Sequence, residues 1–138
     1  MITLKEYLND KDHFASSNGC KITEIKEGYA KAIMKVTNEH LNGGNVCQGG
    51  AYFTLADIAI AAAINSHGTL TFGIQNNISF LKSAIEGDIL TAEANEIIDH
   101  HRIPYVEARI TNQNSELICI VTGIGYRKSN KMPVDGLM

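Results

Sequence analysis

The sequence predicts an α+β fold in which an antiparallel sheet wraps around one long buried helix. Three observations carry this expectation. Residues 51–64 form an apolar run broken by one charge, Asp57, the only Asp, Glu, Lys or Arg between Glu39 and Lys82. Read as a helix, the run is apolar on nearly every face, which puts it inside the protein. On either side of it, apolar and polar residues alternate with the period of strands that have one covered face. One strand before the helix and a four-strand antiparallel meander after it suit a sheet curled around a single helix.

Taken in order, residues 3–16 read as a helix. Thr3 and Glu6 have capping-box spacing, Leu4, Tyr7 and Leu8 share a face, and Ser16-Ser17-Asn18-Gly19 stops it. From Cys20 to Thr37 the pattern is strand-like: Ala30, Ala32, Met34 and Val36 alternate with Tyr29, Lys31, Ile33 and Lys35, after a turn or bulge at Glu27-Gly28. A turn at Asn42-Gly43 leads through Gln48-Gly49-Gly50 into the helix, which ends at Asn65-Ser66-His67-Gly68. Strands are then expected over about 71–81, 88–98, 104–111 and 116–126, separated by Glu86-Gly87-Asp88, Asp99–Arg102 and Asn112–Ser115. Residues 1–128 are thus expected to form one domain, with 1–19 as an N-terminal helical element and 129–138 as a flexible tail.

Composition excludes several classes. The net charge is −3, with no run of Lys or Arg, so no nucleic-acid footprint is present. The apolar run is well short of the ~20 residues of a membrane span and carries a charge. Met1-Ile2-Thr3 leads into a charged segment, which predicts no secretory leader. Three cysteines, Cys20, Cys47 and Cys119, form no CxxC pair, which argues against a disulfide framework or zinc site and for the cytoplasm. His100-His101 has only Asp99 at ligand spacing, so no metal is expected.

Asp57 is the anomaly. A buried carboxylate is paired, protonated or put to chemical use, because leaving it unpaired costs several kcal/mol. It either bridges a partner in the core or does chemistry. The surrounding segments resemble a known family, the hotdog-fold acyl-CoA thioesterases of the phenylacetate-degradation type. The resemblance spans about residues 20–127 and rests on His40-Leu41-Asn42-Gly43, Gly49-Gly50, Thr54-Leu55-Ala56-Asp57, Asn65-Ser66, Ile78-Ser79-Phe80-Leu81, Glu86-Gly87-Asp88 and Thr111-Asn112-Gln113. It implies that Asp57 acts on the thioester carbonyl or on the attacking water. It also implies that the Gly49 N–H belongs to an oxyanion hole and that Asn42 positions the reacting group. Where the family has the His of an HGG motif, this chain has Gln48, which hydrogen-bonds but cannot titrate. Acyl-CoA is then the substrate, with CoA entering as part of it and no cofactor. Family members form dimers that often pair again into tetramers.

The physics is compatible with those roles. A helix start leaves N–H groups unsatisfied and carries partial positive charge, and Gly49-Gly50 let a carbonyl oxygen approach the main chain. Asp57 lies eight residues on, about 12 Å along a helix, too far to serve the same helix's start. Two helices antiparallel across a two-fold axis would join each Asp57 to the other's Gly49, so an obligate homodimer is expected. Gln48, Gly50, Thr54, Asn65 and Arg127 are the candidate substrate contacts. Three have plainer readings: Thr54 packs, Asn65 caps the helix, and Arg127, which could meet a CoA phosphate, is an ordinary surface cation. Asp57 could be a nucleophile or a general base. Two rivals are a hotdog hydratase, which pairs its Asp with a His five residues on where this chain has Ala62, and a non-catalytic acyl-CoA-binding or regulatory module.

Overall fold

The structure is a computed structural model that describes residues 2–138. Two short helices, α1 (Leu4–Lys11) and α2 (His13–Ser17), precede strands β1 (Lys21–Lys26) and β2 (Tyr29–Lys35). The long helix α3 (Gly49–Ile64) follows, then β3 (Thr69–Phe80), β4 (Ile89–Ile98), β5 (Tyr105–Thr111) and β6 (Leu117–Lys131). All six strands form one antiparallel sheet in the order β1-β2-β4-β5-β6-β3.

Small residues let α3 lie close to the sheet. Ala30, Ala94, Ala108 and Val121 stand side by side across β2, β4, β5 and β6, all fully buried. They meet a helix that is itself largely alanine on its buried side, including Ala56, Ala59, Ala62 and Ala63. Leu55, Ile58, Ile60 and Ile64 fill the space around that small-on-small contact at the density of a protein interior.

Four expectations change. The predicted helix 3–16 is two helices, because Asp12 leaves helical geometry to cap α2 by accepting from the Ala15 N–H at 3.1 Å. The stretch before α3 holds two paired strands, since Gly28 takes a positive φ of 74° and closes a hairpin. The four later strands are not a simple meander. β4, β5 and β6 are, but β3 pairs with β6 at the far edge while β4 inserts beside β2. The connection through Ala84 makes that crossing, held where the Ala84 N–H donates to the Tyr52 hydroxyl at 2.8 Å.

The fourth change concerns residues 129–138, expected as a flexible tail. β6 continues to Lys131, and the chain then returns along α1. The Asp135 N–H donates to Ile2 O, while the Leu4 and Lys5 N–H groups donate to Gly136 and Leu137 O. Met132 is buried. On the other side of α1, Asn9 bonds both the N–H and the C=O of Ile22 (2.8 and 3.0 Å), extending the edge of β1 with a side chain. The Thr3–Glu6 capping box is present.

Candidate active site

α3 is covered by the sheet on most of its circumference, but one stripe is left bare. Gly50 and Asp57 are exposed, and Phe53, Thr54 and Ala61 are half-buried, at the i, i+3/i+4, i+7, i+11 spacing of a single helix face. Asp57 is therefore not sunk in the core of the chain. The run reads as apolar all round only because alanine and glycine count as apolar wherever they fall, on covered and uncovered faces alike.

Asp57 opens onto a cavity of about 620 Å³. Tyr7 and Leu8 of α1, Ile60 and Ile64 of α3, Leu70 and Met132 give it an apolar wall, and Lys11, Asp12 and His13 a polar side. The surrounding protein desolvates the carboxylate and raises its pKa above the usual value. A hydrogen bond from Asn76 opposes that rise, and the Asp12 carboxylate adds to it. The Asn76 Nδ2–H donates to Asp57 Oδ1 at 3.0 Å. Sequence reasoning missed Asn76. It shares strand parity with Ile78 and Phe80, so an amide in an otherwise apolar row of side chains was the available signal.

The start of α3 is a separate place. Gln48 is its N-cap, and the Gln48 Oε1 accepts from the Gly50 N–H. The Gly49 N–H, at the first helical position, donates to nothing among the described residues. Gly49 sits under the Phe80 ring, whose Cζ would lie 3.1 Å from an added Cβ. A cavity of about 330 Å³ joins Gly49 to Asn42, Phe80 and Lys82. A neighbouring one of about 250 Å³ holds Gln48, Gly50 and Thr54. Asn42 spends its side-chain oxygen on the loop, accepting from the Gly44 and Val46 N–H groups (2.8 and 3.3 Å), which leaves its NH₂ free to turn outward. The Thr54 hydroxyl donates to Gly50 O at 2.8 Å.

The sequence-predicted residues thus fall into three groups. Asn42, Gln48, Gly49, Gly50 and Thr54 gather at the amino end of α3. Asp57 and Asn65 line the larger cavity. Arg127 lies apart from both, and it is not a free surface cation. Its guanidinium donates to Asp99 Oδ1 at 2.9 Å and pairs with Glu96 Oε2 at 3.4 Å, and its side chain is only 12% exposed. Asn65 is buried, its NH₂ donating to Ala61 O and Thr71 O and its oxygen accepting from the Thr71 N–H.

Other groups are quiet. His40 is buried, accepting from the Thr37 N–H at Nδ1 and meeting Asn18 O at Nε2, as a neutral structural imidazole does. Burial pushes the Cys20 and Cys119 thiols up to about 12 and raises that of Cys47. Among the described residues, only His67, Glu96 and Asp99 bring three metal-capable atoms within 4.8 Å of one another. Arg127 already engages both of those carboxylates. No helix among the described residues is long and apolar enough to cross a membrane.

The family model of the thioesterase superfamily matches residues 40–119, the span from the His40 loop to β6. A protein of Archaeoglobus fulgidus provisionally described as an esterase is 40% identical over 130 residues, covering 94% of this chain and 84% of its own. The acyl-coenzyme A thioesterase PaaI of Escherichia coli is 34% identical over 118 residues, 86% of this chain and 84% of that protein. The structure of the E. coli PaaI protein superposes with a TM-score of 0.90 at 31% identity, covering 93% of both chains. The hotdog architecture expected from the sequence is therefore present.

Proposed function

Since the chain belongs to the thioesterase superfamily and is a thioester hydrolase by that kinship, we propose that its substrate is an acyl-CoA, cleaved to a free acid and CoA at sites shared between two copies. The observation that carries this reading is the lone carboxylate of α3, on the helix's uncovered stripe, at the mouth of an apolar cavity and with a raised pKa. An apolar wall suits an acyl group, and a carboxylate of raised pKa is a better base near neutrality than an ordinary Asp.

In this mechanism the Gly49 N–H of one copy donates to the developing oxyanion, and Asp57 of the other acts on the thioester carbon directly or through water. Attack by water gives a tetrahedral intermediate. Its collapse breaks the C–S bond, and CoA leaves as thiol with the proton taken from water. Direct attack by an Asp57 oxygen forms the C–O bond of a mixed anhydride as the C–S bond breaks and CoA leaves as thiolate. Water then opens the anhydride to the free acid, returning the Asp57 carboxylate and giving its proton to the thiolate. Asn42 turns its free amide toward the reacting group, while Gln48, Gly50 and Thr54 bound the entry and need no cofactor or metal. Three features support a shared site: about 12 Å of helix between Gly49 and Asp57, the bare stripe on α3, and the free outer edge of β3 with Phe72, Ile74 and Phe80 exposed on it. Dimers of this kind pair again into tetramers. Three unpaired cysteines fit a reducing compartment, the cytoplasm.

The test is release of free CoA from a panel of short, medium, long and aromatic acyl-CoAs, with oligomeric state followed by sedimentation. Turnover of at least one class is expected from a dimer or larger species. Binding of acyl-CoA with no release from any of them would make the chain a binding module, and a fully active monomer would refute the shared site.

A further inference from the structure

Half-buried Asn76 is arranged unlike Asn65, the buried amide lining the same cavity as Asp57. Asn65 has every side-chain hydrogen-bonding group answered by main chain. Among the described residues the Asn76 side chain makes one hydrogen bond, to Asp57, and its own Oδ1 is buried with no partner. A buried unsatisfied carbonyl costs stability and calls for an explanation beyond packing. Room for it is made on the neighbouring strand. Val106, Gly123 and Asn76 stand in register across β5, β6 and β3, and a Cβ on Gly123 would fall 2.3 Å from Asn76 Oδ1. No side chain larger than hydrogen at 123 leaves the amide where it is.

We propose that Asn76, seated in the space left by Gly123, is a positioning residue that holds Asp57 by Oδ1 and leaves Oδ2 for the reacting group. The proposal rests on the reading of Asp57 given above. Because the N–H end of the amide faces the carboxylate, the contact favours the ionised form, the one a base or nucleophile needs. The other ionisable groups sharing the cavity are Tyr7, Lys11, Asp12 and His13 of the α1–α2 segment. Neither α3 nor β3 carries another charged side chain. Asp12 is committed to the Ala15 N–H, and Lys11 lies 3.7 Å from Asp10. Among the described residues, Asn76 is thus the one neighbour in hydrogen-bond contact with the Asp57 carboxylate.

The experiment compares wild type, Asn76→Ala and Gly123→Ala by two readouts: the pH profile of kcat/KM, and the titration of Asp57 followed by carboxyl ¹³C NMR in Asp-labelled protein. Asp57→Asn assigns the resonance. In Asn76→Ala the Asp57 midpoint and the acid limb of the profile should move together to higher pH. On that limb kcat/KM should fall roughly fivefold, the scale of one lost hydrogen bond to a charge that stays partly solvated. The melting temperature should not drop, since the unanswered carbonyl goes with the side chain. Gly123→Ala should move the midpoint the same way by displacing the amide. An unmoved midpoint in Asn76→Ala overturns the proposal, and a lower melting temperature with it would make Asn76 merely structural. If wild type cleaves no thioester, the functional reading fails while the NMR titration still decides the role of Asn76.

Discussion

At its carboxyl end α3 runs into Asn65, whose amide makes three hydrogen bonds to main chain, and Ser66, whose hydroxyl donates to Ala63 O and accepts from the Gly28 N–H (both 2.7 Å). His67 follows, 2.7 Å from the buried Glu96, which Arg127 also engages. At its amino end the Gly49 N–H has no partner among the described residues, Gln48 is exposed, and the neighbouring loop is bare glycine and asparagine. One end is closed by paired polar groups and anchors the helix to the sheet. The other keeps donors open, where the helix dipole favours an incoming negative charge. Midway sits Asp57. Under the proposed function stability and chemistry are separated along one helix, so substitutions at the two ends should fail in different ways.

The sharpest break is at the centre. Asp57→Asn should lower kcat/KM about 10³-fold, the scale of removing a base or nucleophile, with a melting temperature equal to wild type or higher because a desolvated charge is gone. Loss of folding would instead mark Asp57 as a structural partner. Next is the open end. Gly49→Pro removes the N–H at the first helical position, where proline is tolerated, and Gln48 already has the extended ψ of 142° that a following proline needs. It should lower kcat about 10²-fold with KM little changed. Gly49→Ala, which keeps the N–H but presses on the Phe80 ring, should lose far less. Equal losses in the two variants would take the oxyanion role away from this amide.

At the closed end the loss should be in stability. Asn65→Ala strands buried main-chain groups at Thr71 and should destabilise by about 3 kcal/mol, read by urea unfolding, with activity per folded molecule retained. The smallest effect separates the two carboxylates by pH. The folded pKa of Asp57 is raised, so its contribution to stability is full below the unfolded value near 3.8 and is lost as pH rises through the folded value. The Arg127 hydrogen bond holds Asp99 below the ordinary range, so its contribution is present above the unfolded value and lost as pH falls through the depressed folded one. Melting curves across acid pH should therefore show Asp57→Asn gaining on wild type as pH rises. Asp99→Asn should fall behind wild type over the same rise, modestly, since that residue is more than half exposed.

What the sequence made legible was whatever side-chain pattern records directly. The helix, its single charge, the glycines at its start and the strands' inner faces follow from hydrophobic spacing. Spacing assigns a strand's faces but not its neighbours, so the edge position of β3 was hidden, and with it Asn76 against Gly123. Arg127 looked like any surface cation because Glu96 and Asp99 approach it from β4 and the loop beyond. The last ten residues have no periodicity because main-chain bonds hold them, Lys131 and Met132 to the start of β3 and residues 135–137 to residues 2–5, which no side-chain pattern encodes. The exposure of Asp57 was readable in principle, since Gly50, Thr54 and Ala61 recur at helical spacing beside it.

The three cysteines have a practical bearing. All are buried, and desolvation keeps their sulfur protonated well above neutral pH. Disulfide dyes that detect thiolate should therefore ignore the native protein and report the thiol released in the proposed reaction with little background. A cysteine engineered onto the surface could then be tagged alone.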